Sequence, residues 1–341
     1  MSQALPYAHG GPPASGVLRA EVEDFRVDEV LGFEPTGTGE HAFLTVEKRG
    51  ANTEWVARQL ARAAGVAPVA VGFAGLKDRH AVTRQVFTVQ LAGRADPDWS
   101  TLAIAGVEVI SATRHNRKLK RGAHRANRFR IRLRDMRGDH ATIEARLAAI
   151  GERGVPNYFG EQRFGRDGGN VALAQALFEG KRLPREQRGI ALSAARSELF
   201  NNLLARRVLD ANWDRALDGE VWMLDGTHAI FGPQAHDEEL ARRLAAFDVH
   251  PTGPLWGVGE LRSTGAVREL ERAAIEPDIA LAHGLEREGL SQERRALRLV
   301  ARDFGHAWES ADCLVVEFGL GAGSFATALL RELCDWHAGV A

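Results

Sequence analysis

The stretch VGFAGLKDRHAVTRQVFT, residues 71–88, reads as a strand, a glycine-containing turn and a second strand. Its flanks are β-branched and aromatic, while Gly75 and Asp78 punctuate the middle. The turn carries one carboxylate, Asp78, between Lys77 and Arg79. Neighbouring positive charge favours the ionised form of a carboxyl group, so Asp78 is a candidate nucleophile. Aspartate is also a common turn former, because its side chain hydrogen-bonds nearby backbone. The turn by itself is compatible with either role, and the surrounding chain has to decide.

Strands and helices alternate on both sides of the turn. Val17–Val22, Phe25–Leu31 and His41–Lys48 read as strands, the last with Ala42, Leu44 and Val46 on one face. Phe25, Val27 and Glu29 share a face of the second strand, which sets a carboxylate beside two apolar residues. A helix capped by Asn52 or Thr53 runs through Trp55, Val56, Leu60 and Ala63 and stops at Gly65. Another follows Asp139, using Ile143, Leu147 and Ile150. This alternation through residue 150 implies an α/β or α+β domain. From Asn170 to about Gly305 the pattern is mainly helical, clearest over Leu192–Leu209, with a further helix expected after Ser291. An α/β pattern returns with a strand at Cys313–Gly319, a Gly-rich turn and a helix over Ser324–Trp336.

Charge is unevenly distributed. The chain has 341 residues and a formal net charge of −1, yet residues 114–137, RHNRKLKRGAHRANRFRIRLRDMR, hold eleven Lys or Arg against one acid. That is +10 in 24 residues, leaving −11 for the remainder (−1 minus +10). Such a block is the footprint of a polyanionic partner. Within it, Arg128, Arg130, Arg132 and Arg134 alternate with Phe129, Ile131 and Leu133, a strand with one apolar face and one row of guanidinium groups. Like charges spaced ~7 Å apart repel unless a counter-charge lies over them. A phosphate backbone is the expected counter-charge, with a solvated face relieved by salt as the alternative.

Several classes are excluded. No run approaches the ~20 apolar residues of a membrane span. The start, MSQALPYAHGGPPASG, lacks a targeting pattern and is expected to be a short flexible arm. Cys313 and Cys334 form no metal motif or disulfide framework, which fits a reducing cytoplasm. No metal and no cofactor are expected. The motif GLGAGS at 319–324 has G-x-G-x-G spacing rather than G-x-G-x-x-G, and no Walker lysine follows it. What remains there is Phe325 at a helix start, either an aromatic platform or a staple against the core.

Taken together, EDFRVDEVLGFEPTGTGEH, FAGLKDRHAVT, RHNRKLKRGAHRANRF, GVPNYFGEQRFG, LSAARSELFN and GAGSFATALLREL resemble, in order and over nearly the whole chain, the TruD family of tRNA pseudouridine synthases. These enzymes act on the uridine at position 13. The resemblance implies an α+β fold: a pseudouridine-synthase core, a curved mixed sheet flanked by helices, with an inserted second α/β domain. Residues 1–153 and 306–341 would form the catalytic domain and 154–305 the insert. It further implies Asp78 as the catalytic aspartate, with Phe25, Asn127 and Phe325 contacting the target nucleotide. Arg19 stands where the family often has Lys, and Arg79 replaces a Lys after the aspartate; both changes keep the charge. The cation paired with Asp78 is expected among Arg19, Lys77 and Arg331.

The implied reaction breaks N1–C1′ of uridine, turns the uracil and joins C5 to C1′. One carboxylate suffices, as nucleophile or base at the sugar. The expected partner is tRNA, and no apolar heptad or exposed apolar run demands a second protein chain, so a monomer is expected. Two other functions use the same features: a non-catalytic RNA-binding protein or RNA chaperone, and a nucleoside hydrolase.

Overall fold

The computed structural model describes residues 4–339, which form two compact units. One comprises Ala14–Asp139, Ala301–Gly323 and the residues from Cys334 onward. The other comprises the residues up to Pro13, His140–Val300 and Ser324–Leu333. Together they make a mixed α+β fold with one large mixed sheet.

The first unit is built on that ten-stranded sheet. Its chain runs β1 (Ala14–Leu18), β2 (Phe25–Leu31), β3 (His41–Arg49), helix α1 (Thr53–Ala63), β4 (Val71–Phe73), β5 (Val82–Gln90), β6 (Val107–His115) and β7 (His124–Gly138). The strands Arg302–Ser310 and Cys313–Gly321 follow, the latter pairing antiparallel with β7. Across the sheet the order is Arg302–Ser310, Cys313–Gly321, β7, β2, β5, β3, β6. Most neighbours are antiparallel, but β2–β5 and the pairing of β1 with Cys334–Ala338 are parallel.

Local chemistry accounts for these elements. Asn52 caps α1 by accepting from the Glu54 and Trp55 amides. The helix presses Val56, Ala57, Leu60 and Ala61 onto Ala42, Leu44, Val46, Phe87 and Val89 of β3 and β5. β1 stops at Leu18, short of the expected Val22, because Arg19 takes a left-handed backbone (φ 60°). Gly72 permits a close approach: a Cβ there would meet the Leu119 carbonyl at 2.5 Å.

The arginine row lies where the alternation puts it, on the face of β7 opposite the buried Ile131 and Leu133. Its counter-charge corrects the sequence reading, since the protein itself supplies it. Arg130 pairs with Glu317 (2.7 Å) and Glu309 (3.2 Å), and Arg132 with Glu309 (2.7 Å) and Asp24 (3.3 Å). Arg134 pairs with Asp24 (2.8 Å) and Glu21 (3.2 Å). Arg128 is exposed and has no carboxylate partner among the described residues. Asp24 is wholly buried. Burial alone would raise its pKa; hydrogen bonds from Arg134, the Glu21 amide and Arg132 override that and hold it below the usual carboxylate value.

The second unit centres on the helix Arg185–Leu209, with Gly169–Phe178, Gly265–Ile275 and Ile279–Arg287 packed along it. It is less helical than the periodicity suggests. A four-stranded sheet of Ile230–Phe231, Trp222–Leu224, Val249–Leu255 and Glu293–Ala296 runs through it. The helix expected after Ser291 is instead two short strands, Glu293–Ala296 and Arg298–Leu299. Their backbone bonds go to Val249–Leu255 and Val155–Pro156, and buried Arg294 reaches Glu271 at 2.5 Å. Tertiary pairing overrides helix propensity there. Likewise the C-terminal helix spans only Ala326–Leu333, because Cys334–Ala338 is drawn into the large sheet beside β1.

The expected N-terminal arm is held from its fifth residue. Arg331 donates to the Leu5 and Pro6 carbonyls, Arg146 to those of His9 and Gly11, and Glu332 accepts from the Ala8 and His9 amides.

Asp24→Asn is expected to destabilise the fold by about 1–3 kcal/mol at neutral pH, because buried hydrogen bonds to a charged group are lost. The carboxylate's depressed pKa contributes stability above the unfolded pKa of about 4, lost as pH falls through the folded value. Urea titrations at pH 7 and near pH 3 should therefore show a smaller acid loss in the variant than in the wild type.

Candidate active site

The segment between β4 and β5 lies across the sheet face that carries Phe25, Val27 and Glu29 of β2 together with Thr83, Gln85 and Phe87 of β5, and buried polar groups tie it down. The Lys77 amide donates to Thr53 Oγ1 at 3.0 Å, and that hydroxyl donates to Gln85 Oε1 at 3.0 Å. Gln85 Nε2 returns to the Gly75 carbonyl at 3.3 Å. From β3, Lys48 Nζ donates to the main-chain carbonyl of Asp78 at 2.8 Å. Thr53, Gln85 and Lys48 are each at most 1% exposed. The turn is thus open to solvent above and pinned from below.

Asp78 stands on this turn with 41% of its side chain exposed. Arg19 Nη2 donates to its Oδ2 at 2.7 Å. The other oxygen, Oδ1, has no hydrogen-bond partner among the described residues. Of the expected cations, then, Arg19 is the one that pairs with Asp78. Lys77 turns inward to Glu29, 3.7 Å away, both side chains nearly buried. Burial raises the Glu29 pKa against the pull of Lys77 and the Val86 amide, and burial lowers that of Lys77. Arg331 has its own partners within the second unit. It donates to Leu5, Pro6 and Glu332 and lies 4.2 Å over the Tyr7 ring.

Phe25, expected to contact the target nucleotide, is only 2% exposed. The Arg19 guanidinium covers it at 4.1 Å from the centroid, and Phe129 packs against it edge-on at 6.1 Å. Phe25 therefore props the arginine that holds Asp78. Asn127 faces Glu29 across the β2–β7 register, and its Oδ1 is buried without a hydrogen-bond partner. Both Glu29 carboxylate oxygens and His124 Nδ1 share that condition, and the His124 pKa is lowered by burial and by Lys77. Phe325 belongs to the second unit. It immediately precedes the helix Ala326–Leu333 and packs on Phe159, with centroids 6.4 Å apart.

Sequence reading missed Lys48, Thr53 and Gln85 as supports of the turn. Lys48 was legible: Ala42, Leu44 and Val46 point to the core, so parity sends Lys48 there too. A lysine at an inward position calls for a partner.

A large mixed sheet thus presents, on a surface turn, one half-exposed carboxylate held by an arginine. The family model for tRNA pseudouridine synthase D (TruD) matches residues 3–181 and 170–333. The tRNA pseudouridine synthase D of Xanthomonas campestris pv. campestris (strain 8004) is 52% identical, over 97% of this chain and 95% of its own. That of Methylococcus capsulatus is 50% identical, over 97% and 94%. A crystal structure of the TruD protein of Methanosarcina mazei shares the fold with a TM-score of 0.76 at 21% identity, covering 96% of this chain and 95% of that one. The chain belongs to the TruD family of tRNA pseudouridine synthases.

Thr53→Val keeps the side chain's shape but removes its bonds to Lys77 and Gln85. It is expected to cost about 1–2 kcal/mol and to loosen the turn. Native-state hydrogen exchange at the Lys77 amide should speed up, while amides of α1 beyond its first turn should be little changed.

Proposed function

We propose that the protein isomerises uridine to pseudouridine in tRNA, with Asp78 working at the sugar. The observation that carries this reading is the state of Asp78: paired with Arg19 through Oδ2, half-exposed, and with Oδ1 unengaged. The N1–C1′ bond breaks with its electron pair going to N1. Oδ1 either bonds to C1′ or takes a proton from the sugar, as carboxylates do in glycoside chemistry. The uracil turns and C5 bonds to C1′ as the carboxylate leaves C1′ or its proton returns to the sugar; C5 then loses its proton to water while N1 takes one up. The product is an isomer of the substrate, so atoms and electrons balance without a further reactant.

The target base must leave its stack to meet Asp78. Extrusion costs a few kcal/mol, and stacking on one ring returns roughly 1–3 kcal/mol. By resemblance, Phe325 and Asn127 contact the extruded nucleotide. The unpartnered Oδ1 of Asn127 suits a uracil N3–H or a ribose hydroxyl. Phe25 acts through Arg19. Arg128 is the member of the arginine row free to meet phosphate, while Arg130, Arg132 and Arg134 would have to exchange a carboxylate for it.

Position 13 as the target, the pseudouridine-synthase core of 1–153 and 306–341, and the insert of 154–305 go with the same resemblance. Action as a monomer fits the lack of an apolar heptad or exposed apolar run in the sequence, and a cytoplasmic setting fits its two cysteines, which form no disulfide framework. No helix among the described residues is long and apolar enough to cross a membrane.

Loss of the C5 proton supplies the test. tRNA carrying tritium at uridine C5 should release label to water with the wild type. Asp78→Asn should abolish release and leave tRNA binding intact. Equal release by the variant would remove Asp78 from the mechanism, whereas salt-sensitive binding without release by the wild type would leave a binding protein only.

A further inference from the structure

Lys48 ends the inward row of β3, after Ala42, Leu44 and Val46, and is 0% exposed. An ammonium withdrawn from water is costly unless its charge is used. Here it meets the main-chain carbonyl of Asp78 at 2.8 Å, while Arg19 holds the carboxylate of the same residue at 2.7 Å. Two cations thus grip one amino acid, one by its side chain and one by its backbone. A charged donor makes a stronger bond to a carbonyl than a neutral amine does.

The geometry points to Lys48 as a positioning residue for the reaction: its charged ammonium fixes the backbone of Asp78 so that the carboxylate stands correctly at the sugar. This rests on the reading of Asp78 as the catalytic carboxylate. The charged groups facing Lys48 are Asp78 and Lys77 of the turn, with Arg19 and Glu29 acting through them. From β5 and β6 its register partners are Thr83 and Val107, and α1 contributes Thr53 to the same support; all three are uncharged. Burial, with Lys77 beside it and only Asp78 opposing, lowers the Lys48 pKa to about 8. Raising pH through that value should therefore relax the turn.

The linked effect on folding has the opposite sign. Between about 8 and 10 the unfolded chain keeps a proton that the folded chain has released, so Lys48 adds stability as pH rises. Activity falling while stability holds separates loss of positioning from loss of fold.

The test is single-turnover tritium release against pH for the wild type, Lys48→Met and Lys77→Met, with thermal unfolding and tRNA binding alongside. The wild-type rate should fall as pH rises through about 8 without a matching fall in Tm. Lys48→Met should lose roughly 100-fold in rate with tRNA affinity unchanged, and its residual rate should be flat over the same range. Lys77→Met should keep the alkaline limb but move it to higher pH, since a like charge has gone. A Lys48→Met rate close to wild type, a wild-type rate flat to pH 9, or a limb lost in Lys77→Met would each overturn the inference. Should Lys48→Met fail to fold, the wild-type and Lys77→Met profiles decide. Activity in Asp78→Asn would sink the underlying reading, whereas an inactive Asp78→Asn beside an active Lys48→Met would sink only the role of Lys48.

Discussion

A carboxylate that works at a sugar must be ionised, open to its substrate and held still, and these demands pull against one another. Exposure favours charge but loosens a turn; burial fixes a turn but penalises charge. In the role proposed for Asp78, the protein divides the task. The side chain stays half in water with one oxygen on Arg19, while the backbone beneath is held by groups buried on the sheet face. Arg19 is fixed in turn, by a left-handed backbone at the end of β1 and by the Phe25 ring under its guanidinium. Each link costs something alone: a strained residue, a buried lysine, a buried Glu29–Lys77 pair. The cost is tolerable because β1, β2, β3, β5 and α1 all converge on the same few atoms.

The arginine row of β7 shows how charge patterning can mislead. Four arginines on one strand face need counter-charge, and the basic block around them offers only Asp135. Folding brings Glu309 and Glu317 from residues far along the chain, and Asp24 and Glu21 from before β2. The row becomes an internal ladder that ties neighbouring strands together, leaving Arg128 unpaired among the described residues. The net block of positive charge survives, since only part of it is matched. A field of that kind still favours a polyanion without requiring each arginine to touch one.

Much of the molecule was legible in the chain. The strand–turn–strand around Asp78, the Asn52-capped helix and the alternation of β7 all follow from local pattern and hold in the fold. Misreadings fall where backbone bonds are exchanged with distant segments. Residues 293–299 look helical but pair as strands, and 334–338 leave the expected helix to lie beside β1. Nothing local reveals that Arg19 will lie over Phe25. Lys48, by contrast, was signalled by strand parity.

Short-range order alone determined which residues could carry the chemistry: a lone carboxylate on a turn, a basic strand, and the blocks that set this chain within its family. These depend on residue type and spacing, which the chain carries without folding. Only the tertiary structure decided which cation meets Asp78, which amide and hydroxyl steady it, and which arginines are already spent. Those choices turn on contacts between residues tens to hundreds of positions apart, and a linear pattern holds no record of such distances.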